Sequence, residues 1–567
     1  MVIAGTRLAA LLAAMAWILV GTAHAAGEGV HFEVSLPRSA GAEPVTGRLI
    51  VAILRGDTVE PRLAIAASAP TSTAAEGPAL LATDVEGLKP GGAAAIVDAG
   101  SATFPIELRE LPAGDYNVQA LLIRYKQARR ADGHTIWVPI SDRYVFAMNL
   151  PGNLYSKPQK VRVDPATSGS IPLSLTEVIG PLEEPQDTEW VKHVRIKSEV
   201  LSRFWGVPMY VRAHVLLPKD FAIQTKARYP AVYVFGHRPV PFSFDTDPAS
   251  HERSLGAARD GNTETGYEFY KSWSSENFPR VVSVLLEHPS PYFVESYAIN
   301  SANNGPYGDA LTQEVIPFLE KRFRLIAQPY ARIVEGASTG GWESLALQLH
   351  YPDFFGGAWV FNPDPIDFTR YQLVDIYKDE NMFSVPWGPW RRAERPFRRT
   401  REGQPVTTLR DLARFEALLG SKGRSGYQLD IWQATHGPVG SDGYPAPLFD
   451  KRTGAIDRKV VEYMRTNGYD LSEYTRRNWA TLGPKLRGKL NFFAGEMDDF
   501  YLNLAVYNYQ SMLTEAAGPD YPARFEYGRP KKGHNWHHTN WAGVVREMAE
   551  HIKRNAPSGG DTAQWSY

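Results

Sequence analysis

The sequence has no cysteine among its 567 residues and almost no net charge. The absence of cysteine excludes disulfides, thiolate metal sites, iron–sulfur clusters and a cysteine nucleophile. The 61 Lys and Arg residues nearly match the 62 Asp and Glu residues, which leaves a net charge of −1. Because this balance gives no overall field that favours nucleic acid, we expect no nucleic-acid partner.

The sequence also lacks long apolar runs, apart from one near its N-terminus. Arg7 precedes an almost wholly apolar stretch, residues 8–20, and small residues follow as far as Ala26, which is the pattern of a signal peptide. The run is shorter than the roughly 20 residues that span a bilayer, so cleavage after Ala25 or Ala26 is favoured over an uncleaved anchor. We predict a signal peptide over residues 1–26 and an exported protein, periplasmic or secreted, with no transmembrane segment after cleavage.

The next part of the chain, residues 27–185, has the patterns of β structure. Residues 48–55 form a short apolar run between glycines, and residues 116–125 alternate and are rich in strand-forming residues. Few segments here have a helical period, so strands are indicated. We predict a β-sandwich-like N-terminal domain followed by a linker, with no catalytic group of residues in it.

From about residue 186 the pattern changes to alternating strands and helices. Residues 308–323 have the spacing of an amphipathic helix and lie between two apolar runs. A strand, a helix and a parallel strand make a right-handed crossover unit. We therefore predict an α/β-hydrolase catalytic domain, a mostly parallel sheet flanked by helices, in two parts, residues 186–362 and 486–567. Its buried strands are indicated by apolar runs at residues 231–235, 281–286, 331–334, 357–361 and 489–493.

The segment between the two parts, residues 363–485, is far longer than an ordinary connection. We predict that it is a cap-like insertion, helical and irregular, over the carboxyl edge of the sheet. Its basic run, residues 391–401, is interpreted as a solvated face. Its tryptophans either form a small core of their own or stack on substrate rings. The candidates for substrate binding are Trp387, Trp390, Trp432 and, in an earlier loop, Tyr297.

The most specific motif is GASTGG, residues 336–341, which follows a strand and leads into a helix. The pattern G-x-S-x-G in that context is a nucleophile elbow. It predicts Ser338 as the nucleophile and the backbone N–H of Thr339 as a donor to the oxyanion. A second donor is expected after the first parallel strand, at the backbone of His237 or Arg238.

A serine nucleophile needs a base and an orienting acid, which follow it in the order acid, histidine in this fold. Asp498 follows the strand at 489–493 and is the predicted acid, with Asp499 as the alternative; both carboxylates also fit helix caps. His534 is the predicted base among three nearby histidines that include His537 and His538. A metal site at this cluster is the other interpretation, but no H-E-x-x-H motif supports it. We expect no metal and no cofactor.

The segment from residue 311 to residue 363 resembles the core of the putative-esterase family. That family includes esterase D-like enzymes, enterochelin esterases, feruloyl esterases and mycolyltransferases. The resemblance begins near residue 191, ends at the His534 loop and covers about two thirds of the chain. It implies an α/β-hydrolase with Ser338, Asp498 and His534 as its triad. Many members have a His-Gly-Gly loop after the first parallel strand, where this chain has Phe235-Gly236-His237.

These observations predict an exported serine carboxylesterase that acts through an acyl-enzyme on a small-molecule or glycan-linked ester. An acyltransferase that passes the same acyl group to an alcohol or sugar is the main alternative. A serine peptidase is disfavoured because the N-terminal region is too short for a propeller. A non-catalytic binding protein is disfavoured because all three triad residues are present.

Overall fold

The computed structural model describes residues 29–72, 77–236, 240–250 and 264–558, together with residues 562 and 565. The predicted signal peptide lies outside the described residues, and so do His237 and Arg238. Within the described ranges, no helix combines the length and apolar character that a membrane span needs.

The N-terminal region has a sheet of seven strands, a sheet of three strands and a separate two-stranded hairpin. Side chains from both sheets, such as Phe32 and Val51, are buried in one core, because alternate residues of each strand point to the same side. The strands are β1 (Val30–Ser35), β2 (Val45–Leu54), β3 (Ala79–Leu88), β4 (Ala95–Val97), β5 (Ala102–Phe104), β6 (Gly114–Arg124), β7 (Lys126–Arg129), β8 (Thr135–Val138), β9 (Leu154–Tyr155), β10 (Gln159–Val163), β11 (Gly169–Ser174) and β12 (Glu177–Val178).

An eight-stranded sheet forms the centre of the catalytic domain. Its strands are β13 (Val191–Ser198), β14 (Met209–Leu216), β15 (Ala231–Phe235), β16 (Val282–Glu287), β19 (Arg332–Ala337), β20 (Gly357–Phe361), β25 (Leu490–Gly495) and β26 (Arg524–Gly528). Two short strands, β17 (Asn300–Ser301) and β18 (Gly305–Pro306), pair with each other outside it.

The strand order in this sheet is β13-β14-β16-β15-β19-β20-β25-β26. β14 is antiparallel to both of its neighbours, and the strands from β16 to β26 are parallel. The apolar runs that predicted the parallel strands therefore form them, each within about three residues of the expected bounds. The carboxyl ends of β15, β19, β20 and β25 lie side by side, and this edge carries the candidate site.

Helices flank the sheet, and several begin at side-chain caps. Thr265 and Glu268 form a reciprocal capping box, which satisfies two of the N–H groups that a helix start leaves unpaired. The helices outside the insertion are α1 (Glu199–Trp205), α2 (Gly266–Trp273), α3 (the continuous turns Tyr307–Asp309, Ala310–Val315 and Ile316–Arg322), α4 (Thr339–His350), α10 (Asn503–Ala517) and α11 (Trp541–Asn555).

The insertion contains hairpins as well as the helices that its sequence predicted. The hairpins are β21 (Ser384–Trp387) with β22 (Arg391–Glu394) and β23 (Pro396–Arg399) with β24 (Pro405–Thr408). The helices are α5 (Leu409–Leu419), α6 (Gln428–His436), α7 (Arg458–Thr466), α8 (Leu471–Arg477) and α9 (Trp479–Leu486).

The basic run of the insertion is only partly a solvated face. Arg391 and Arg392 are exposed, as that interpretation requires. Arg395, in contrast, is buried and pairs with Asp379 at 2.8 Å. Arg399 donates from Nε to the backbone oxygen of Asp498 at 2.9 Å. The interpretation is therefore wrong for Arg395, which is paired within the insertion, and for Arg399, which bonds the turn after β25.

The insertion also packs against the N-terminal sheet through helix α5. The fully buried Phe415 lies edge-on to Phe104 of β5, with 5.4 Å between ring centroids, and edge-on to Tyr427 at 5.2 Å. Arg48 of β2 donates to the backbone oxygens of Leu418 at 2.8 Å and Ala417 at 3.0 Å. The insertion is thus held between the N-terminal sheet and the catalytic sheet.

We expect Phe415→Ala to lower the stability of this junction by about 3–5 kcal/mol, since it leaves a cavity between two aromatic rings. Thermal and urea unfolding, followed by circular dichroism, measure the loss. Trp390→Ala is the matched control, because Trp390 is 91% exposed and its removal leaves no cavity. Equal unfolding midpoints for the two variants would contradict the packing described here.

Candidate active site

Ser338 lies at the turn between β19 and α4 in a backbone conformation that few residues other than glycine adopt, with φ 58° and ψ −120°. Such strain persists only where the surrounding structure enforces it. A Cβ at Gly336 would come within 2.3 Å of the backbone of Gly340, and a Cβ at Gly340 within 2.3 Å of the backbone oxygen of Phe235. The two glycines of the motif are therefore required by close backbone approach.

Thr339 is the first residue of α4, so its N–H has no carbonyl partner within the helix. Its side chain is buried, and it directly follows the half-buried Ser338. The N–H of Thr339 therefore has the position in the chain that an oxyanion donor requires. Its role stays a prediction, as does that of His237 or Arg238, which lie outside the described residues.

Asp498 and His534 lie in contact at the carboxyl edge of the sheet. Oδ2 of Asp498 is 2.7 Å from Nδ1 of His534. The other oxygen, Oδ1, accepts the N–H groups of Phe500 at 2.9 Å and Leu502 at 3.2 Å. Asp498 is fully buried, so its charge is stabilised by these donors. The contact fixes the imidazole ring and leaves Nε2 as the nitrogen able to accept a proton.

Asp499, the alternative acid, has a different contact. Its Oδ1 accepts the backbone N–H of His534 at 3.3 Å, while the side chain of His534 faces Asp498. The geometry therefore distinguishes two adjacent carboxylates that the sequence leaves as alternatives.

The electrostatics around His534 favour its charged form. Burial disfavours the imidazolium, but the charge and hydrogen bond of Asp498 outweigh it, with further attraction from Asp364 and Asp499, so the pKa of His534 is raised. A base whose protonated form is stabilised in place suits a reaction in which it takes a proton from a hydroxyl group.

The other two histidines of the cluster have separate partners. Nδ1 of His537 is 3.1 Å from the backbone oxygen of Asn535. Nε2 of His538 is 3.0 Å from both carboxylate oxygens of Glu547. Because the three imidazoles contact different groups, the cluster has no common centre for a metal ion.

A further carboxylate, that of Asp364, lies beside the nucleophile, and the sequence analysis missed it. Its Oδ1 is 3.4 Å from Oγ of Ser338. Oδ2 accepts from Thr339 Oγ1 at 3.0 Å, Gln428 Nε2 at 2.8 Å and Trp432 Nε1 at 3.3 Å, and from the hydroxyl of Tyr297. Its position directly after a parallel strand is the same signal that identified Asp498.

This network corrects the predicted role of Trp432 as a surface for stacking on substrate. Trp432 is 2% exposed, and its indole N–H donates to Tyr297 at 2.6 Å and to Asp364. Tyr297 is fully buried as well, with its hydroxyl bonded to Asp364, so neither ring offers a face to a ligand. Both residues are buried beside Asp364, where the phenol hydroxyl and the indole N–H each donate a hydrogen bond to its carboxylate.

Trp387 and Trp390 lie at the tip of the β21–β22 hairpin and are 72% and 91% exposed. They are not part of a core of the insertion, which was the other interpretation of these rings. Their predicted contact with substrate stays a prediction.

Comparison with known proteins gives one family match. Residues 208–413 match the family model described as putative esterase, a range that includes Ser338 and Asp364 but ends before Asp498 and His534. No curated protein is significantly similar to the chain.

Several solved structures are distantly similar. One is a ferulic acid esterase, with 15% identity and a TM-score of 0.35 over 64% of this chain and 98% of that one. Another is an S-formylglutathione hydrolase from Staphylococcus aureus, with 13% identity and a TM-score of 0.31 over 64% of this chain and 99% of that one. A third is MPT51 of Mycobacterium tuberculosis, with 11% identity and a TM-score of 0.33 over 65% of this chain and 99% of that one.

TM-scores this low carry no argument about activity, so the assignment rests on the family match and on the geometry of the site. The match includes the nucleophile elbow, and the elbow has the strained turn and close glycine contacts that its motif predicts. The resemblance to the putative-esterase family is thereby confirmed, and the protein is a serine hydrolase.

Proposed function

We propose that the protein is an exported carboxylesterase that hydrolyses an ester through an acyl-enzyme on Ser338. The observation that carries the proposal is the 2.7 Å contact between Asp498 and His534, on the same sheet edge as the strained turn at Ser338. The proposal of export rests on the N-terminal sequence alone. The family match supports an ester as substrate, and a small-molecule or glycan-linked ester is the class that we propose.

In the first half of the reaction, Oγ of Ser338 attacks the ester carbonyl carbon while its proton passes to Nε2 of His534. Asp498 holds the ring in the tautomer that leaves Nε2 free and stabilises the imidazolium that forms. The carbonyl oxygen becomes an oxyanion, which we expect the N–H of Thr339, at the start of α4, to bind. The C–O bond of the ester then breaks, and His534 gives its proton to the departing alcohol.

In the second half, water takes the place of the alcohol. His534 removes a proton from the water as its oxygen attacks the acyl carbon, and the bond to Ser338 breaks with return of the proton to Oγ. An alcohol or a sugar hydroxyl that reached the same position would receive the acyl group instead. Transfer to such an acceptor is the second candidate function, and the dependence of product ratio on acceptor concentration separates it from hydrolysis.

The purified protein should hydrolyse a short-chain p-nitrophenyl ester, and a fluorophosphonate probe should label it on Ser338. Ser338→Ala should lose both reactions, because the remaining groups have no nucleophile to bring to the carbonyl carbon. Release of p-nitrophenol and mass spectrometry of the labelled peptide measure the two effects. A folded wild-type protein that does neither would contradict the proposed function.

Asp498→Asn should lower kcat by about 10⁴-fold, since an amide favours the wrong tautomer of His534. The matched control is Asp499→Asn, which changes the adjacent carboxylate and should cost far less, because Asp499 accepts the backbone N–H of His534 whereas Asp498 contacts the imidazole itself. Steady-state kinetics with the same ester compare the variants. A large loss in the control and a small loss in Asp498→Asn would move the acid to Asp499.

A further inference from the structure

We propose that Asp364 is a positioning residue of the active site, a second carboxylate that holds the hydroxyl of Ser338 and stabilises the charged form of His534. This inference rests on the proposed function, because both effects act on the step in which Ser338 gives its proton to His534. The family match and the triad do not require such a residue.

The two oxygens of Asp364 have different hydrogen-bond partners. Oδ2 has four donors, from Tyr297, Thr339, Gln428 and Trp432. A single carboxylate oxygen has about two acceptor sites, so four donors around Oδ2 leave it no site for a proton of its own. Oδ1 faces Oγ of Ser338 at 3.4 Å, a distance at which a hydroxyl is held weakly and turns readily to another acceptor.

The backbone of Asp364 also forms a hydrogen bond with the elbow. Its N–H donates to the backbone oxygen of Ser338 at 3.1 Å, and the N–H of Ser338 donates to Phe361 at 3.0 Å. The segment after β20 therefore contacts Ser338 through both main chain and side chain. A carboxylate fixed in this way has little freedom to move when the hydroxyl turns, which is the condition for electrostatic preorganisation.

Asp364 also acts electrostatically on His534. The carboxylates that face His534 are Asp498 and Asp499, from the turn after β25, and Asp364, from the turn after β20. Burial raises the pKa of Asp364, while its hydrogen-bond donors and the charge of His534 oppose that rise. In this water-poor place, the negative form that these partners stabilise acts strongly on its neighbours. As His534 gains a proton, the attraction of Asp364 lowers the energy of that state.

The insertion contributes to this arrangement through two of the donors. Gln428 and Trp432 belong to α6, and both reach Asp364 across the junction with the catalytic sheet. Through these two donors, the insertion supports the carboxylate that contacts Ser338. Its fixed contact with the N-terminal sheet through α5 keeps α6 in place.

The test is Asp364→Asn in the full-length protein, with the pH profile of kcat/KM as the main readout. The amide has nearly the shape of the carboxylate and keeps an oxygen for the four donors, but it lacks the charge. We expect kcat to fall about 10- to 100-fold, the worth of a hydrogen bond to a charged group, with little change in KM. We expect the acid limb of the profile to move to lower pH by up to about one unit, since His534 loses an attracting charge.

Glu343→Gln is the matched control. Glu343 is fully buried on α4, and burial with the nearby Glu295 and Asp364 raises its pKa well above the ordinary value. The raised pKa favours the neutral form of Glu343, so we expect the substitution to remove little charge. The acid limb of the Glu343→Gln profile should coincide with that of the wild type. A nonspecific effect of altering a buried carboxyl group would instead shift the acid limbs of both Glu343→Gln and Asp364→Asn.

An unchanged kcat and acid limb in a folded Asp364→Asn protein would overturn the proposal. Should this variant fail to fold, Gln428→Met takes its place. It removes one donor from Oδ2, which favours protonation of Asp364, so the acid limb should move in the same direction by a smaller amount. An unchanged acid limb in Gln428→Met would overturn the proposal equally. Loss of ester hydrolysis and fluorophosphonate labelling in the wild type itself would reject the proposed function instead.

Discussion

The site depends on how closely the backbone of the elbow passes its neighbours. Gly340 lies against the carbonyl of Phe235, and Gly336 lies against Gly340, with no room for a Cβ at either position. These contacts bring β15, β19 and the start of α4 together and hold Ser338 at a positive φ. Ser338 therefore lies at the carboxyl edge of the sheet, next to the N-terminus of α4.

Around this turn two carboxyl groups, those of Asp498 and Asp364, are buried beside the reacting groups. Asp498 contacts His534 directly, and Asp364 contacts Ser338. Each carboxylate is supplied with several donors, since an unpaired buried charge would be costly. The donors of Asp364 come from the elbow, from the loop after β16 and from the insertion. The insertion is thus part of the support of the nucleophile, and its packing on the N-terminal sheet links that sheet to the site.

Much of the fold and part of the site were predictable from local patterns. Apolar runs identified the parallel strands, and the glycines around Ser338 identified the elbow, because both signals lie within a few residues of the chain. Spacing favoured Asp498 over Asp499 but left Asp499 open, since only the structure shows which of two adjacent side chains points to the imidazole of His534. The contact between Arg48 and Leu418 had no local signal at all. Trp432 shows the same limit, because the sequence cannot reveal that its indole N–H is needed by a buried carboxylate.

The most direct test of this account is the crystal structure of the protein after reaction with a phosphonate ester. The account predicts a bond from phosphorus to Oγ of Ser338, with one phosphonyl oxygen accepting the N–H of Thr339. It also predicts that Nδ1 of His534 stays on Asp498 and that Asp364 keeps its four donors. A phosphonyl group on another residue, or on Ser338 with its oxygen turned away from the start of α4, would contradict it.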